Sequence, residues 1–359
     1  MSKILEKPSH EASIEEKINW LRRLNQEHSD FFCSPDERLQ RDLYRAQHPT
    51  EIGAFKCMDG RINIPILTQM PLGIIQPFRN LGGKFDLGWP YLGQAFENWV
   101  NYAIKKGRKC LVLVTYHFSK GDTHRGCAGF HYDTEAAIAS AKSFKQQIER
   151  IFGKKRTIVY PIVVGLETDT DALIFHGVDD QQLDLGQLKA DVEVNDLRHK
   201  LSELYPDMDE QMINDLLPLV VGNLRQIAEI KKLNRPVDDS KHREFIVGIG
   251  RGFDWLHEPN IALLIGPYSP DSYQPIKTAF EIIQSNMDEK RIKDDGFIVL
   301  ASSPYFQNLG VDRQRAIEKT RYLISLAQEV ATKRFPDLAK KMHTISAIID
   351  INTRKIEEI

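Results

Sequence analysis

The chain reads as an α/β protein in three parts: a helical N-terminal segment over residues 1–48, an α/β unit with a largely parallel sheet over 49–240, and a second α/β unit over 241–359. Three observations predict this. From about residue 50, short apolar runs alternate with longer amphipathic stretches, the grammar of strand–helix–strand units. The run CLVLVTYHF (110–118) is apolar and β-branched through its core, as a strand covered on both faces must be. The same order of helix, apolar strand and long helix then recurs around IVLASSPYF, which hints at an internal duplication.

The elements follow in order. Residues 12–32 form an amphipathic helix: Ser13 and Glu16 make a capping-box pattern, and Ile14, Ile18, Leu21 and Leu24 form its apolar stripe. This helix packs on the body or grips a second subunit. IGAFKCMD and LGIIQPF are short strands, and residues 90–106 are a helix that Gly107 stops. After the 110–118 strand come a long helix (134–152) and a strand (157–168). Residues 180–240 are polar and mainly helical with proline-containing breaks, and read as an insertion or connector. In the second unit, REFIVGIGRGFDWL, NIALLIGPYS, GFIVLASSPYF and TISAIIDINT each hold a strand, with helices at PIKTAFEIIQSNM and RQRAIEKTRYLISLAQEVATKRF.

Composition excludes several classes of function. The 359 residues are 42% hydrophobic and 27% charged, with 48 basic and 50 acidic side chains and a net charge of −2. That balance lacks the basic footprint of a nucleic-acid binder. No apolar run reaches the length of a membrane span, and the N-terminal stretch has no signal-peptide core, so a cytoplasmic location is expected. The four cysteines, Cys33, Cys57, Cys110 and Cys127, are few and scattered, which suits metal ligands or core fillers better than disulfides. Cys33 and Cys110 read as structural.

Chemistry concentrates in two segments. Cys57-Met58-Asp59-Gly60-Arg61 follows a strand, and His117 to Cys127 begins where a buried strand ends and closes on Gly126-Cys127. Ligands of open α/β sheets gather at such strand ends. Two thiolates and an imidazole suit zinc, with the fourth tetrahedral position left for water. A zinc-bound water loses its proton near neutrality and yields hydroxide, a strong nucleophile. Arg61 would hold Asp59 in a charge-assisted pair, and Asp59 would orient the hydroxide or, released, close the metal's open position. His124, His131, His242 and His257 are candidates to carry the proton away. The glycine segments GIGRG (248–252) and RNLGGKFD lack the spacing of phosphate-binding loops and read as turns.

The order C-x-D-x-R, then Arg79-Asn80, then helix, strand ending in histidine, and Gly-Cys resembles that of the β-carbonic anhydrases. The words VTYHFSKGDTHRGCAGF, DGR and TDTDA are similar to those of its divergent branch, the carboxysomal shell carbonic anhydrases, in which the zinc histidine lies in the Y-H-F triplet. The resemblance covers residues 50–180 and continues more loosely to the C-terminus. It implies a β-carbonic-anhydrase-like, mostly parallel sheet flanked by helices. Zinc would sit on Cys57, His117 and Cys127, beside an Asp59–Arg61 dyad, and the C-terminal domain would be a metal-free copy. Ordinary members use H-x-x-C, which would select His124 in place of His117; the strand end and the Y-H-F match favour His117. No cysteine follows Cys127, so the second unit cannot repeat the site.

The implied activity is reversible hydration of carbon dioxide to bicarbonate and a proton, in a homodimer or higher homo-oligomer. The segment before Cys57 is short and lacks the long arm that in this branch is tied to packaging. The expected partners are therefore carbon dioxide and bicarbonate, a plain cytoplasmic location is expected ahead of association with carboxysome components, and neither nucleic acid nor membrane is expected. A zinc hydrolase of carbon disulfide type and a non-catalytic zinc-containing assembly protein are the alternatives.

Overall fold

The computed structural model describes residues 6–153, 158–189, 192–233, 241–256, 258–306 and 310–359. Two helices lead in, α1 (Ile14–Cys33) and α2 (Pro35–Gln47). The capping box at Ser13 and Glu16 starts α1. A second cap, Ser34 followed by Pro35, opens α2. The apolar face of α1 is used within the chain: Trp20 packs edge-on to Phe245, and Asn25 Oδ1 accepts from Ile356 N at 2.9 Å.

The first α/β unit runs β1 (Glu51–Cys57), α3 (Ile64–Leu67), β2 (Ile75–Asn80), α4 (Pro90–Lys105), β3 (Cys110–Phe118), α5 (Thr134–Phe152), β4 (Val159–Glu167), β5 (Ala172–His176) and β6 (Gln182–Asp184). Two further helices follow, α6 (Val194–Leu204) and α7 (Glu210–Leu233). The second unit runs β7 (Ile246–Gly250), β8 (Ala262–Ile265), α8 (Tyr273–Asp288), β9 (Phe297–Tyr305), α9 (Gly310–Arg334), α10 (Pro336–Ala339), β10 (Met342–Asp350) and β11 (Ile356–Glu358).

The first sheet has the order β2-β1-β3-β4-β5-β6 and the second β11-β10-β9-β7-β8. In the first, β1 to β4 are mutually parallel and β5 and β6 antiparallel. In the second, β7 to β10 are parallel and β11 antiparallel. Read from the β2 and β8 edges, the two orders coincide strand for strand through the antiparallel β5 and β11. The duplication seen as shared grammar is therefore a shared topology.

Helices cover both faces of the first sheet, which explains the unbroken apolar run of β3. On one face Phe55 stacks on Phe78 at 4.4 Å and meets Phe85, Phe96 and Phe144 edge-on. The other face joins the second unit in one continuous core that includes Leu111, Leu113, Phe245 and Val299.

The edges of the two sheets also meet. Leu264 N donates to Met58 O at 2.8 Å, Gly266 N to Arg79 O at 2.9 Å, and Asn260 N to Gly60 O at 2.8 Å. The backbone of the second unit thus pins the segment after Cys57.

One expectation changes. Residues 180–240 are not a polar connector: Met212, Leu216, Leu219 and Val220 of α7 have no exposure, and Asn223 ties α7 to Leu67 O, Asp171 O and Leu173 N. The polar face dominated the reading, and Pro218 lies inside a helix that continues through it. Strand β6 (Gln182–Asp184) also falls within that stretch and pairs with β5. The expected boundary at 240/241 adjoins residues 234–240, which lie outside the described residues.

Candidate metal centre

Parallel strands β1 and β3 are neighbours, so their carboxyl ends lie side by side and bring Cys57 near His117. Cys127 arrives from the loop after β3. That loop is braced by the turn after β4: Asp169 Oδ2 accepts from Ser119 Oγ at 2.8 Å and Gly121 N at 2.9 Å, and Asp169 pairs with Arg125 Nη2 at 3.0 Å. Glu167, 1% exposed, accepts from Thr170 and from the backbone of Lys120 and Asp169. The TDTD word is this brace. Gly82 and Gly129 touch backbone to backbone, which makes LGG a packing turn that seats Cys127.

The ligand atoms of Cys57, His117 and Cys127 all lie within 4.8 Å of one another, and all three residues are buried. The two sulfurs are 4.0 Å apart. Thiolates on one tetrahedral zinc at about 2.3 Å would be about 3.8 Å apart, so the pair is spaced for a shared ion. His117 is 2% exposed, and neither ring nitrogen has a hydrogen-bond partner among the described residues. A buried imidazole without partners is costly unless it has another bond to make, and a metal supplies one. His124, by contrast, has a side chain 79% exposed and stands outside the cluster beside Asp122.

The two thiols are pushed in opposite directions. The hydrogen bond from Cys127 holds Cys57 well below its ordinary value, and the same bond, with burial, pushes Cys127 well above it. Both thiols must be deprotonated for a cation to bind them.

Asp59 sits beside this cluster. Burial alone would raise its carboxyl, but the Arg61 charge, the nearby His242 and hydrogen bonds from Arg61 hold it well below the carboxylate range. Arg61 donates to Oδ1 from its backbone N at 2.8 Å and Nε at 3.0 Å, and to Oδ2 from Nη2 at 2.6 Å. Asp59 Oδ2 also stands 3.8 Å from His117 Nε2 and 3.7 Å from His242 Nε2. Gly60 between them has no room for a side chain: a Cβ would lie 2.7 Å from Ala262 O.

The second unit completes the site. His242 Nε2 lies 3.1 Å from Arg61 Nη2, and its Nδ1 lies 3.0 Å from both Glu244 oxygens. A guanidinium can only donate, so Nε2 accepts and the ring proton sits on Nδ1 toward Glu244. Glu244 has no exposure; burial raises its carboxyl, and His242 more than offsets this. Sequence reasoning missed Glu244 and Asp169. Only the close H-R-E spacing of His242 and Glu244 and the TDTD repeat hinted at them.

A small cavity of about 10 Å³ lies against Cys57 and Asp59, walled by Leu81, Leu263 and Ile282. It shares Ala128, His242 and Ile282 with a solvent cleft of about 700 Å³ that also holds Arg61, His124 and His131. His242 therefore stands on the boundary between the two. His257 lies outside the described residues.

Soft sulfur donors and an imidazole at the carboxyl ends of parallel strands, on an α/β scaffold, are a donor set that could hold a transition-metal ion. Residues 50–235 match the family of the carboxysome shell carbonic anhydrase catalytic domain, and the chain belongs to that family. A carboxysome shell carbonic anhydrase of Prochlorococcus marinus (strain MIT 9313) is 25% identical over 240 residues, covering 57% of this chain and 45% of that protein. One of Hydrogenovibrio crunogenus (strain DSM 25203 / XCL-2) is 27% identical over 251 residues, 59% and 46% of the two chains. One of Parasynechococcus marenigrum (strain WH8102) is 26% identical over 239 residues, 57% and 40%. The chain spans a little under half the length of these curated relatives.

Proposed function

We propose that the protein is a zinc-dependent carbonic anhydrase acting on carbon dioxide and bicarbonate, with Cys57, His117 and Cys127 as the metal ligands. The observation that carries this is the convergence of those buried donors beside a carboxylate locked by Arg61. When bound, zinc would supply Lewis acidity that makes water a nucleophile near neutral pH. Asp59, kept ionised by Arg61, can only accept hydrogen bonds, so it fixes the orientation of any proton-bearing group at the open side of the site. The apolar wall of Leu81, Leu263 and Ile282 suits an uncharged, non-polar substrate. His242 accepts at Nε2 from Arg61 Nη2, holds its own proton toward Glu244 and stands between the small cavity and the cleft, which places it to relay a proton outward.

The donor count favours this reading over a purely structural zinc, which normally has four protein ligands. The relatives are named for a carboxysome shell, and a shell association is proposed here for the catalytic part they share. Co-sedimentation with shell fractions, against recovery in free cytoplasm, tests it. The activity itself is tested by stopped-flow carbon dioxide hydration with zinc measured in the same sample. Activity with about one zinc per chain supports the proposal; one zinc per chain without hydration, under reducing conditions, sinks it.

A further inference from the structure

The second unit keeps the topology of the first but not its metal ligands. Strands β3 and β9 are both nine residues long, Glu51 pairs with Cys110, and Ile246 pairs with Ile298. Counting from those registers, Arg251 falls at the position of Cys57 and Pro304 at that of His117. The GIGRG turn thus occupies the place of the C-x-D-x-R segment. Gly250 (φ 120°) and Gly252 (φ 87°) let it turn sharply around Arg251, and a Cβ on Gly250 would lie 2.1 Å from Ser302 O.

A cavity of about 40 Å³ opens there, and three guanidinium groups line it: Arg79, Arg251 and Arg354, with Tyr268 beside them. One carboxylate, Asp254, faces the three, 3.4 Å from Arg354. The cavity walls therefore carry a surplus of two positive charges. Arg79 Nε and Arg354 Nε are buried, with no hydrogen-bond partner among the described residues. Arg79 forms no ion pair among the described residues. Each of these groups is a donor only, and buried donors without acceptors are costly. The volume admits a few waters or one small anion. Planar forked donors match a trigonal oxyanion by paired hydrogen bonds.

We propose that this cavity is a binding site for a small oxyanion, bicarbonate, in which arginines stand where the first unit would place its cation. The oxyanion class rests on the arginines alone; the choice of bicarbonate rests on the proposed carbonic anhydrase activity. The duplicated unit has then exchanged a metal for fixed guanidinium charge and kept affinity for the reaction's anionic product.

The test titrates bicarbonate into intact zinc-loaded protein at constant ionic strength with chloride as the balancing salt, reading thermal stabilisation. Inorganic phosphate in a parallel arm distinguishes a trigonal from a tetrahedral oxyanion. Wild type should respond to bicarbonate more strongly than to phosphate. Arg251→Met and, separately, Arg354→Met should weaken that response about tenfold or more, since each removes charged hydrogen bonds. Zinc content and hydration rate should be unchanged, because neither residue lines the small cavity of the metal centre. Arg251→Lys controls for folding and should retain part of the response. A bicarbonate response equal in wild type and both methionine variants overturns the proposal, as does a wild type that prefers phosphate. Crystals soaked in bromide give a second readout: an anomalous peak in the cavity is expected, and an empty cavity counts against the site. If hydration is absent but the response depends on Arg251, the activity reading fails and the oxyanion site stands. If hydration is present and the response ignores Arg251, the reverse holds.

Discussion

Arg61→Met is the most informative single perturbation of the metal centre. Asp59 is 5% exposed, and Arg61 supplies three hydrogen bonds to its carboxylate. The substitution leaves the backbone donor in place and removes two side-chain bonds with their charge. Removing one partner of a buried ion pair costs about 3–5 kcal/mol, because the other charge is left uncompensated. The backbone donor of residue 61 stays on Oδ1, so the lower end of the range is expected. Equilibrium urea unfolding of metal-free protein measures the change directly. Zinc-loaded protein should lose less, since a second cation then faces the freed carboxylate. The double variant Asp59→Asn, Arg61→Met should recover stability relative to Arg61→Met alone, because the stranded charge is gone. The sign with pH follows from the depressed carboxyl of Asp59. Its stabilising contribution is full above the ordinary carboxylate range and is lost as pH falls through the lowered folded value. Arg61→Met should therefore differ most from wild type near neutral pH and least in strong acid. An unfolding free energy within about 0.5 kcal/mol of wild type at neutral pH would refute the reasoning, as that is the range of an inert surface change.

Further outcomes are expected. Cys57→Ser, Cys127→Ser and His117→Ala should each lose zinc in elemental analysis, whereas His124→Ala should keep it; retention in His117→Ala with loss in His124→Ala would reverse the ligand choice. Asp169→Ala, which unbraces the loop carrying Cys127, should weaken zinc affinity roughly 10–100-fold in a chelator competition while leaving the fold intact. His242→Ala should slow hydration most in dilute buffer and be restored by added imidazole; a loss that buffer cannot restore would assign His242 a structural part instead. Gly60→Ala should destabilise the protein by about 1–3 kcal/mol through the clash with Ala262 O, read by thermal unfolding.

The strand–helix grammar was legible because the strands of both units are buried on two faces and carry continuous apolar runs. The clustered donors were legible for a related reason: Cys57 and His117 sit at the ends of such runs, where a parallel sheet must deliver them to one edge. What escaped detection depends on contacts across sequence. Glu244 is a lone acid after a histidine, and its partners Gly60 and Asn286 are distant in the chain. The α7 helix was misread because a helix with a polar stripe and an internal proline looks solvated until its neighbours are known. Arg79, Arg251 and Arg354 come from separate elements, and no local pattern brings them together.

The meeting of the two sheet edges has a consequence for dilution. Leu263, Ile282 and His242 belong to the second unit, yet they wall the small cavity at Cys57 and Asp59. In an assembly of separate subunits such a wall would be shed whenever the partners dissociated. Here the peptide chain itself fixes the local concentration of the wall, and no binding equilibrium stands between the chain and its complete pocket. The specific activity of each molecule is therefore expected to hold constant down to concentrations at which any self-association has vanished.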